Sequence, residues 1–387
     1  MDEKLERSLR EEAIRRRLAG ESVSAVARSL NRSREWVHLW LRRYDPDDPD
    51  WSVSRSRAAK RVVRQLPPEV TELVVAARKR LAAHAWEHVG AEAILWELKR
   101  QGLVELPSPA SVKRILAREG LAKPRVRERR GKSGIVYPEP EARAPGDVHE
   151  ADFLGPRHLE GGPRFFLLVS QDRASRHLGL ELLGNRSQSQ SWPALQRIWS
   201  RLGKPERLKL DNHAAFSGRL DHPGGLMRAC LWQGVTPVFI PYREPWRNGM
   251  VEKSNDLIQR QLLRRERFDS LETLERRLGE FEGFRNERRG AAEQGRRALS
   301  DAFGPVPKGW PQEGRAEFVR FIRSDLRLYL YGRSWPLPEA LAYSYVTAVL
   351  DVAKPPSQGN LLVVDASGEL QDELGLPVSW HKESAMR

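Results

Sequence analysis

Apolar residues recur at helical spacing in two stretches of the first third of the chain and give way to short extended runs beyond residue 146. In the first stretch, Val23, Val26, Ala27 and Leu30, then Trp36, Val37, Trp40 and Leu41, fall at i, i+3, i+4 intervals, the mark of amphipathic helices. Three short helices are predicted, over residues 13–18, 23–30 and 34–44, with Ser22 capping the second and turns at Gly20-Glu21 and Asn31-Arg32-Ser33. The run Asp45-Pro46-Asp47-Asp48-Pro49-Asp50 then breaks the pattern with prolines and like charges. A second helical stretch covers residues 69–121, with amphipathic segments at 90–98 and 111–116 on either side of Gly102 and the Pro107-Ser108-Pro109 turn.

From residue 147 the period changes to that of strands. Short bulky runs at 148–154, 165–170 and 177–183 predict three successive strands. A helix over 187–202, a strand over 207–210, a helix over 224–232, a strand over 235–240 and a long helix over 248–267 come next, and a helix over 271–286 closes the series. Three strands, helix, strand, helix, strand, helix is the order of a ribonuclease H-like sheet. After the Gly304-Pro305-Val306-Pro307 join, apolar runs at 318–322, 326–331, 345–350 and 361–364 suggest a small β-barrel. The expected fold class is therefore multidomain: N-terminal all-α units, a central α/β ribonuclease H-like core and a C-terminal small β-barrel. The expected domains are residues 1–45, 67–122, a linker over 123–145, the core over 146–290 and the barrel over 313–376.

Each helical stretch resembles a helix-turn-helix, whose last helix lies in the DNA major groove. In that pose Arg32, Ser33, Arg34 and His38 form the leading edge of the first unit, and the segment 108–118, with Lys113 and Arg114, is the reading helix of the second. A plain three-helix packing or dimerisation module is the alternative for the first, because a fold does not dictate DNA reading.

Charge favours a nucleic-acid partner. The chain has 66 Lys and Arg against 52 Asp and Glu, a net charge of +14. Residues 51–150 hold 20 basic and 12 acidic side chains, a balance of +8, whereas residues 301–387 hold 9 and 11, a balance of −2. Between the second helical unit and the core, Lys123, Arg125, Arg127, Arg129, Arg130 and Lys132 supply six cations within ten residues without an apolar period. Such a run is either a solvated tether or a linker that orders along phosphates. The mild acidity of the C-terminal region argues for packing or protein contact there. The single cysteine, Cys230, sits among Leu226, Met227, Leu231 and Trp232, which predicts a buried structural thiol and leaves no partner for a disulfide or a cysteine-cluster zinc site. No apolar run approaches the roughly 18 to 20 residues that span a bilayer, and Met1-Asp2-Glu3-Lys4 does not resemble a signal peptide. The expectation is a soluble cytoplasmic protein with no membrane contact.

Three acids stand where a structural role does not call for them: Asp152 within an otherwise apolar strand, Asp211 at the end of another, and Glu252 at the start of a helix beyond Pro245 and Gly249. Carboxylates from two strand ends and a helix start can converge, and a converged set repels itself unless divalent cations hold it. Phosphodiester chemistry needs an activated attacking oxygen, a stabilised leaving oxygen and a neutralised phosphorane, which two Mg²⁺ ions about 3.5 to 4 Å apart provide, Mn²⁺ being able to substitute. Glu150 rivals Asp152, because residues two apart on a strand share a face; Asp152 is preferred for its place before Phe153, with Glu150 as a helper.

Asp152-Phe153, Asp172 with Ser175-Arg176, Asp211-Asn212, and Pro241-Tyr242 through Asn248-Gly249 to Glu252 together resemble the catalytic core of DDE transposases and retroviral integrases, over about residues 146–290. With the flanking helical units and trailing strands, the chain resembles bacterial insertion-sequence transposases of that superfamily. The resemblance implies catalytic and metal-binding roles for Asp152, Asp211 and Glu252, Mg²⁺-dependent 3′-end cleavage and strand transfer, and a homo-oligomer holding double-stranded element ends and target. It departs from the family in three ways. Forty residues separate Asp211 from Glu252, which implies an extra turn near 220–225; the zinc-binding His/His/Cys/Cys domain is absent; and His213-Ala214-Ala215-Phe216 replaces a Gly-rich turn. Asn255, Gln259 and Arg260 follow Glu252 by one or two helical turns, where they either touch DNA or are ordinary solvated positions, and Arg247 with Trp246 lies in the preceding loop. Alternative functions are a DNA-binding regulator that keeps the fold without cutting, and a structure-selective nuclease that nicks without joining.

Overall fold

The computed structural model describes residues 3–54, 66–122, 134–219, 222–288, 306–307 and 311–377. The basic run holding Arg125, Arg127, Arg129 and Arg130 lies outside the described residues. Contacts divide the chain into two compact units, Met1–Pro68 and Glu69–Arg387.

The first unit holds α1 (Glu3–Leu18), α2 (Val23–Ser29) and α3 (Arg34–Arg43) around Ala13, Val26, Ala27 and Val37. Ser22 and Ser33 cap α2 and α3 by accepting from the Ala25 and Trp36 amides at 3.2 and 3.1 Å. Helix α1 starts ten residues before the expected Ala13. Its first turns carry too few apolar residues to show a period, and polar contacts hold them instead: buried Arg10 reaches Glu3 at 3.0 Å and the Ser52 carbonyl at 2.7 Å and lies over the Trp40 ring at 4.4 Å. The Asp- and Pro-rich stretch turns the chain back rather than ending the unit. Trp51 meets Tyr44 and Trp40 edge-on at 5.1 and 6.4 Å, so the packing continues to Ser54.

The second unit opens with α4 (Pro68–Ala83), α5 (Ala91–Arg100) and α6 (Pro109–Arg118), packed through Val74, Leu81, Ile94, Leu98, Val112 and Ile115. Ser108 caps α6, and Pro109 occupies its first position. A sheet follows, built from β1 (Val148–His158), β2 (Arg164–Asp172) and β3 (Leu178–Leu183), then α7 (Gln188–Leu202), β4 (Arg207–Leu210), the short α8 (Ala214–Ser217), β5 (Gly218–Arg219), β6 (His222–Pro223), α9 (Gly225–Trp232), β7 (Thr236–Phe239), α10 (Gly249–Ile258) and α11 (Leu271–Glu287). The paired β5 and β6 are the extra turn implied between Asp211 and Glu252. The expected long helix changes character at Gln259: residues Gln259–Leu263 continue α10 as a π-helical turn, with the Arg264 amide donating to the Gln259 carbonyl at 2.9 Å.

The C-terminal strands are β8 (Arg315–Phe321), β9 (Arg327–Leu330), β10 (Arg333–Pro336), β11 (Tyr345–Asp351), β12 (Leu361–Asp365) and β13 (Leu370–Leu374). The separate barrel expected here is corrected by their pairing. Strand β8 joins β7 in parallel, and one nine-stranded sheet runs in the order β13-β12-β11-β8-β7-β4-β1-β2-β3, with β9 and β10 as a hairpin beside it. The local pattern identified strands, but a strand's partner depends on residues far away in sequence. Helices α7 and α9 cover one face, where Trp199, Phe216, Phe239 and Phe318 are buried, and α10 and α11 cover the other, with Val169, Ile258, Leu274 and Phe281. Cys230 is fully buried in the first of these cores, and burial pushes its thiol up to about 12. The helical unit α4–α6 is docked on this second face through Trp86, which meets Phe281 and Phe284 edge-on at 5.4 and 5.6 Å and donates to Glu266 at 3.1 Å. No helix among the described residues is long and apolar enough to cross a membrane.

Candidate active site

Strands β1 and β4 run parallel, pairing Val148 with Arg207 and Glu150 with Lys209. Two further steps along the same register bring Asp152 level with Asp211, just past the end of β4. Because β1 alternates faces, Ala151 joins the core under α7, while Glu150 and Asp152 turn toward α10.

Helix α10 is fixed to that face by five hydrogen bonds. Glu150 Oε2 accepts from the Met250 and Val251 amides at 3.1 and 3.2 Å, occupying the positive end of the helix. Asn248 Nδ2 donates to the Ala151 carbonyl at 3.2 Å, and Ser254 Oγ donates to Gln171 at 2.9 Å. Asn255 Nδ2 donates to Asp152 Oδ2 at 2.8 Å, one turn beyond Glu252. The other oxygen of Asp152 accepts from the Phe153 amide at 2.7 Å, and Asp211 Oδ1 accepts from the His213 amide at 3.0 Å.

The charges of Asp211 and Glu252 both act on Asp152. Burial, then the charge of Asp211, then that of Glu252 push the Asp152 carboxyl up to about 6, against the hydrogen bonds from Phe153 and Asn255. Burial also raises Asp211, opposed by the His213 amide and the charges of His213 and Arg186. Among the described residues, no three His, Cys, Asp or Glu side chains are gathered tightly enough to cage a metal ion as they stand. The donor set nonetheless suits a hard divalent cation: all three groups are half-buried carboxylates, and their mutual repulsion is what such a cation relieves.

Glu150 is not part of this cluster. It is 2 % exposed, caps α10 and lies 3.3 Å from the equally buried Lys209 ammonium, so its charge is met by the fold itself. Arg247 is likewise engaged, stacked on Tyr137 and Tyr345 at 3.9 and 5.0 Å and bonded to Glu244 at 3.0 Å, whereas Trp246 beside it is 57 % exposed. Gln259 receives a hydrogen bond from Arg157, and Arg260 pairs with Asp256 at 2.7 Å. In the helical units, Arg34, His38, Lys113 and Arg114 are exposed; Ser33 is spent on capping, and Arg32 pairs with Glu6 at 2.6 Å and lies over Trp36.

Sequence reasoning missed Arg186 and the role of His213. His213 Nδ1 caps α8 by accepting from the Ala215 amide at 3.1 Å, and its ring meets Phe153 edge-on at 5.9 Å. Burial, then the charge of Arg186, lower its basicity. Arg186 leaves the β3–α7 turn across the Phe166 ring at 5.1 Å, and only its place just ahead of a helix start hinted at a role. A third addition comes from the C-terminal strands. Buried Arg320 on β8 donates to Asn212 Oδ1 at 3.2 Å and to the Ile240 carbonyl at 3.3 Å, bracing the loop that carries Asp211.

Residues 4–50 match a family described as a homeodomain-like domain. No curated protein matches the chain. Among solved structures, it is similar to the integrase catalytic core domain of HTLV-2 in complex with magnesium, at 18 % identity over 31 % of this chain and 70 % of that one, with a TM-score of 0.26. It is also similar to the simian T-cell lymphotropic virus intasome in complex with a PP2A regulatory subunit (14 % identity, 73 % and 92 % covered, TM-score 0.36) and to the catalytic core domain of BIV integrase (15 %, 29 % and 65 %, 0.23). Residues 4–50, the part similar to a homeodomain-like domain, precede the mixed α/β sheet.

Proposed function

We propose that the chain is a DDE-type polynucleotidyl transferase, a DNA transposase or integrase that cleaves the 3′ ends of mobile-element DNA and joins them to a target. One observation supports this reading above the others: the parallel register of β1 and β4 carries Asp152 toward Asp211, just past the end of β4, and the charges of Asp211 and Glu252 both bear on Asp152. Asp152, Asp211 and Glu252 are the groups that would hold Mg²⁺, or Mn²⁺ in its place, and the metal would supply charge neutralisation and activation of the attacking oxygen.

The chain's own contribution is positioning. Asn255 and the Phe153 amide fix both oxygens of Asp152, the His213 amide fixes one of Asp211, and Glu150 holds the start of α10 so that Glu252 stays near the strand ends. In cleavage, a water oxygen bonds to phosphorus and the 3′ oxygen leaves, taking up a proton. In joining, that 3′-hydroxyl loses its proton as it bonds to a target phosphorus, and the target's own 3′ oxygen leaves. Joining forms one phosphodiester for each it breaks, with the departing 3′ oxygen taking up a proton, so it requires no external energy source. Exposed Arg34 and His38 on α3 and Lys113 and Arg114 on α6 are proposed DNA contacts, with the basic run at Arg125, Arg127, Arg129 and Arg130 along phosphates. Holding two ends at once calls for a homo-oligomer on DNA.

The test is single substitution of Asp152→Asn, Asp211→Asn and Glu252→Gln, assayed on DNA carrying the borders of the element that encodes the chain. Joined products that require Mg²⁺ should fall to background in each variant while DNA binding persists. Joining that survives all three changes sinks the reading. Nicks without joined ends in the unsubstituted protein would move it to a nuclease, and binding without any metal-dependent product would move it to a regulator.

A further inference from the structure

A cavity of about 820 Å³ opens along one flank of α10. Along this helix Glu252, Asn255 and Gln259 form one stripe, at i, i+3 and i+7, and Lys253, Asp256 and Arg260 form the neighbouring one. The second stripe lines the cavity, together with the β2–β3 turn and α11. Six lining side chains are cationic, Arg173, Arg176, Arg247, Lys253, Arg260 and Arg285, against three acids, Glu139, Glu150 and Asp256.

These charges are not equally available. Arg173 pairs with Glu139, Arg260 with Asp256 and Arg247 with Glu244, and Arg285 is tied to the Trp86 carbonyl. Arg176 and Lys253 are exposed and have no acidic partner among the described residues. Arg176 sits at φ 66°, a left-handed conformation uncommon for a residue other than glycine. The floor is polar and satisfied, since Gln171 donates to the Arg176 carbonyl at 2.8 Å and accepts from Ser254 at 2.9 Å. An excess of fixed positive charge over a wet polar floor suits a solvated anion and not an apolar ligand. The cavity is also not closed. It continues past Glu139, Arg173, Arg176 and Met250 into a groove of about 450 Å³ along residues 139–143, the segment that follows the basic run of residues 123–132 in sequence. An elongated anion fits that path better than a compact one.

We propose that this cavity and groove hold the phosphodiester backbone of a DNA segment, with Arg176 and Lys253 as the principal phosphate contacts, on the side of α10 away from the stripe that carries Glu252. The assignment rests on the nucleic-acid reading of the chain but not on its catalytic chemistry.

The test uses the full chain carrying Arg176→Glu and Lys253→Glu together, with the milder Arg176→Gln and Lys253→Gln pair beside it and thermal unfolding as a check on folding. Affinity for a linear duplex and for a relaxed circular duplex is titrated over a range of salt concentrations. Loss of two phosphate contacts should lower the slope of log K against log salt by about 1.8 and raise Kd roughly tenfold or more at low salt, with the Gln pair intermediate. A loss confined to the linear duplex assigns the groove to DNA ends, and a loss shared by the circle assigns it to through-running duplex; both support the proposal. An unchanged slope in a folded Glu pair overturns it. So does a result in which inorganic phosphate binds and loses affinity on substitution while duplex binding is untouched, because the site would then serve a small anion. Metal-dependent joining by Asp152→Asn, measured separately, reports on the catalytic reading and leaves this outcome unaffected.

Discussion

Two aspartates on neighbouring strands of one sheet have opposite electrostatic fates. Asp172, at the end of β2, is 2 % exposed, yet its carboxyl is held down to about 2. Burial works against the charge there, but His149 lies 3.3 Å away, the Gly146 and Ser175 amides donate at 2.7 and 2.6 Å, and the Ser175 hydroxyl donates at 2.8 Å. Asp152, on β1, meets fewer such donors: burial pushes its carboxyl up to about 6, and the charges of Asp211 and Glu252 add to that push where His149 and three donors oppose it at Asp172. Burial alone therefore does not separate scaffold from site in this sheet. A buried carboxylate whose charge the fold satisfies, as at Asp172 and Glu150, belongs to the frame; one whose charge the fold leaves unmet is set for a partner from outside.

The sharpest way to break this contrast is to remove the Asp172 charge. Its folded carboxyl lies below the ordinary 3.8, so its ionisation stabilises the fold above about pH 4, and that stabilisation is lost as pH falls toward 2. Asp172→Asn should cost about 2 kcal/mol at pH 7, read as a lower denaturant midpoint at unchanged m-value, with the deficit shrinking as the assay is moved to acid. Activity per folded molecule should be retained. A variant as stable as the parent would mean that the three donors and His149 do not hold the carboxylate as described.

The opposite sign is expected at Asp152. A folded carboxyl raised toward 6 destabilises the fold once both states are ionised, so stability falls as pH rises from about 4 to 6. Asp152→Asn should therefore stabilise the metal-free protein at pH 7, by about 1 to 2 kcal/mol after allowing for its partial exposure, with no gain left near pH 4. Mg²⁺ should do for the parent what the substitution does, and it should add little to the variant. A destabilised Asp152→Asn protein at neutral pH would remove the basis for treating the three acids as a strained cluster.

The sequence singled out Asp152 as an acid within an apolar strand and placed Asp172 just past another, but the partners that meet the charge of Asp172 and leave that of Asp152 unmet were not visible in it. Period two placed Glu150 and Asp152 on the same face, but Lys209, which separates them, lies 59 residues from Glu150 and meets it only through the β1–β4 register. Elements with strong internal patterns were legible to the residue or nearly so, as for β4 and α11, because a short apolar run or a long helical stripe is a local property. The start of α1 and the pairing of β8 with β7 were not, since the first depends on Arg10 reaching Ser52 and the second on strands nearly eighty residues apart. Arg186 escaped for the same reason: its importance comes from the charge it places near Asp211 and His213, both more than twenty residues away.

That placement gives the smallest and most specific expectation. Arg186 is the cation that opposes the upward push of burial on Asp211, after the His213 amide and imidazole, and it also disfavours protonated His213. Replacing it with Gln removes a favourable charge from Asp211 without touching a hydrogen bond of that carboxylate, whose Oδ1 accepts from the His213 amide. The Asp211 carboxyl should then ionise at higher pH, so the pH at which Mg²⁺ begins to bind should move upward, while affinity well above that pH changes little. Isothermal titration with Mg²⁺ across a pH series reads this directly. A uniform loss of affinity at every pH would instead make Arg186 a packing residue on Phe166, and an unchanged onset would detach it from the carboxylate cluster; either outcome would confine the unmet charge to Asp152, Asp211 and Glu252 alone.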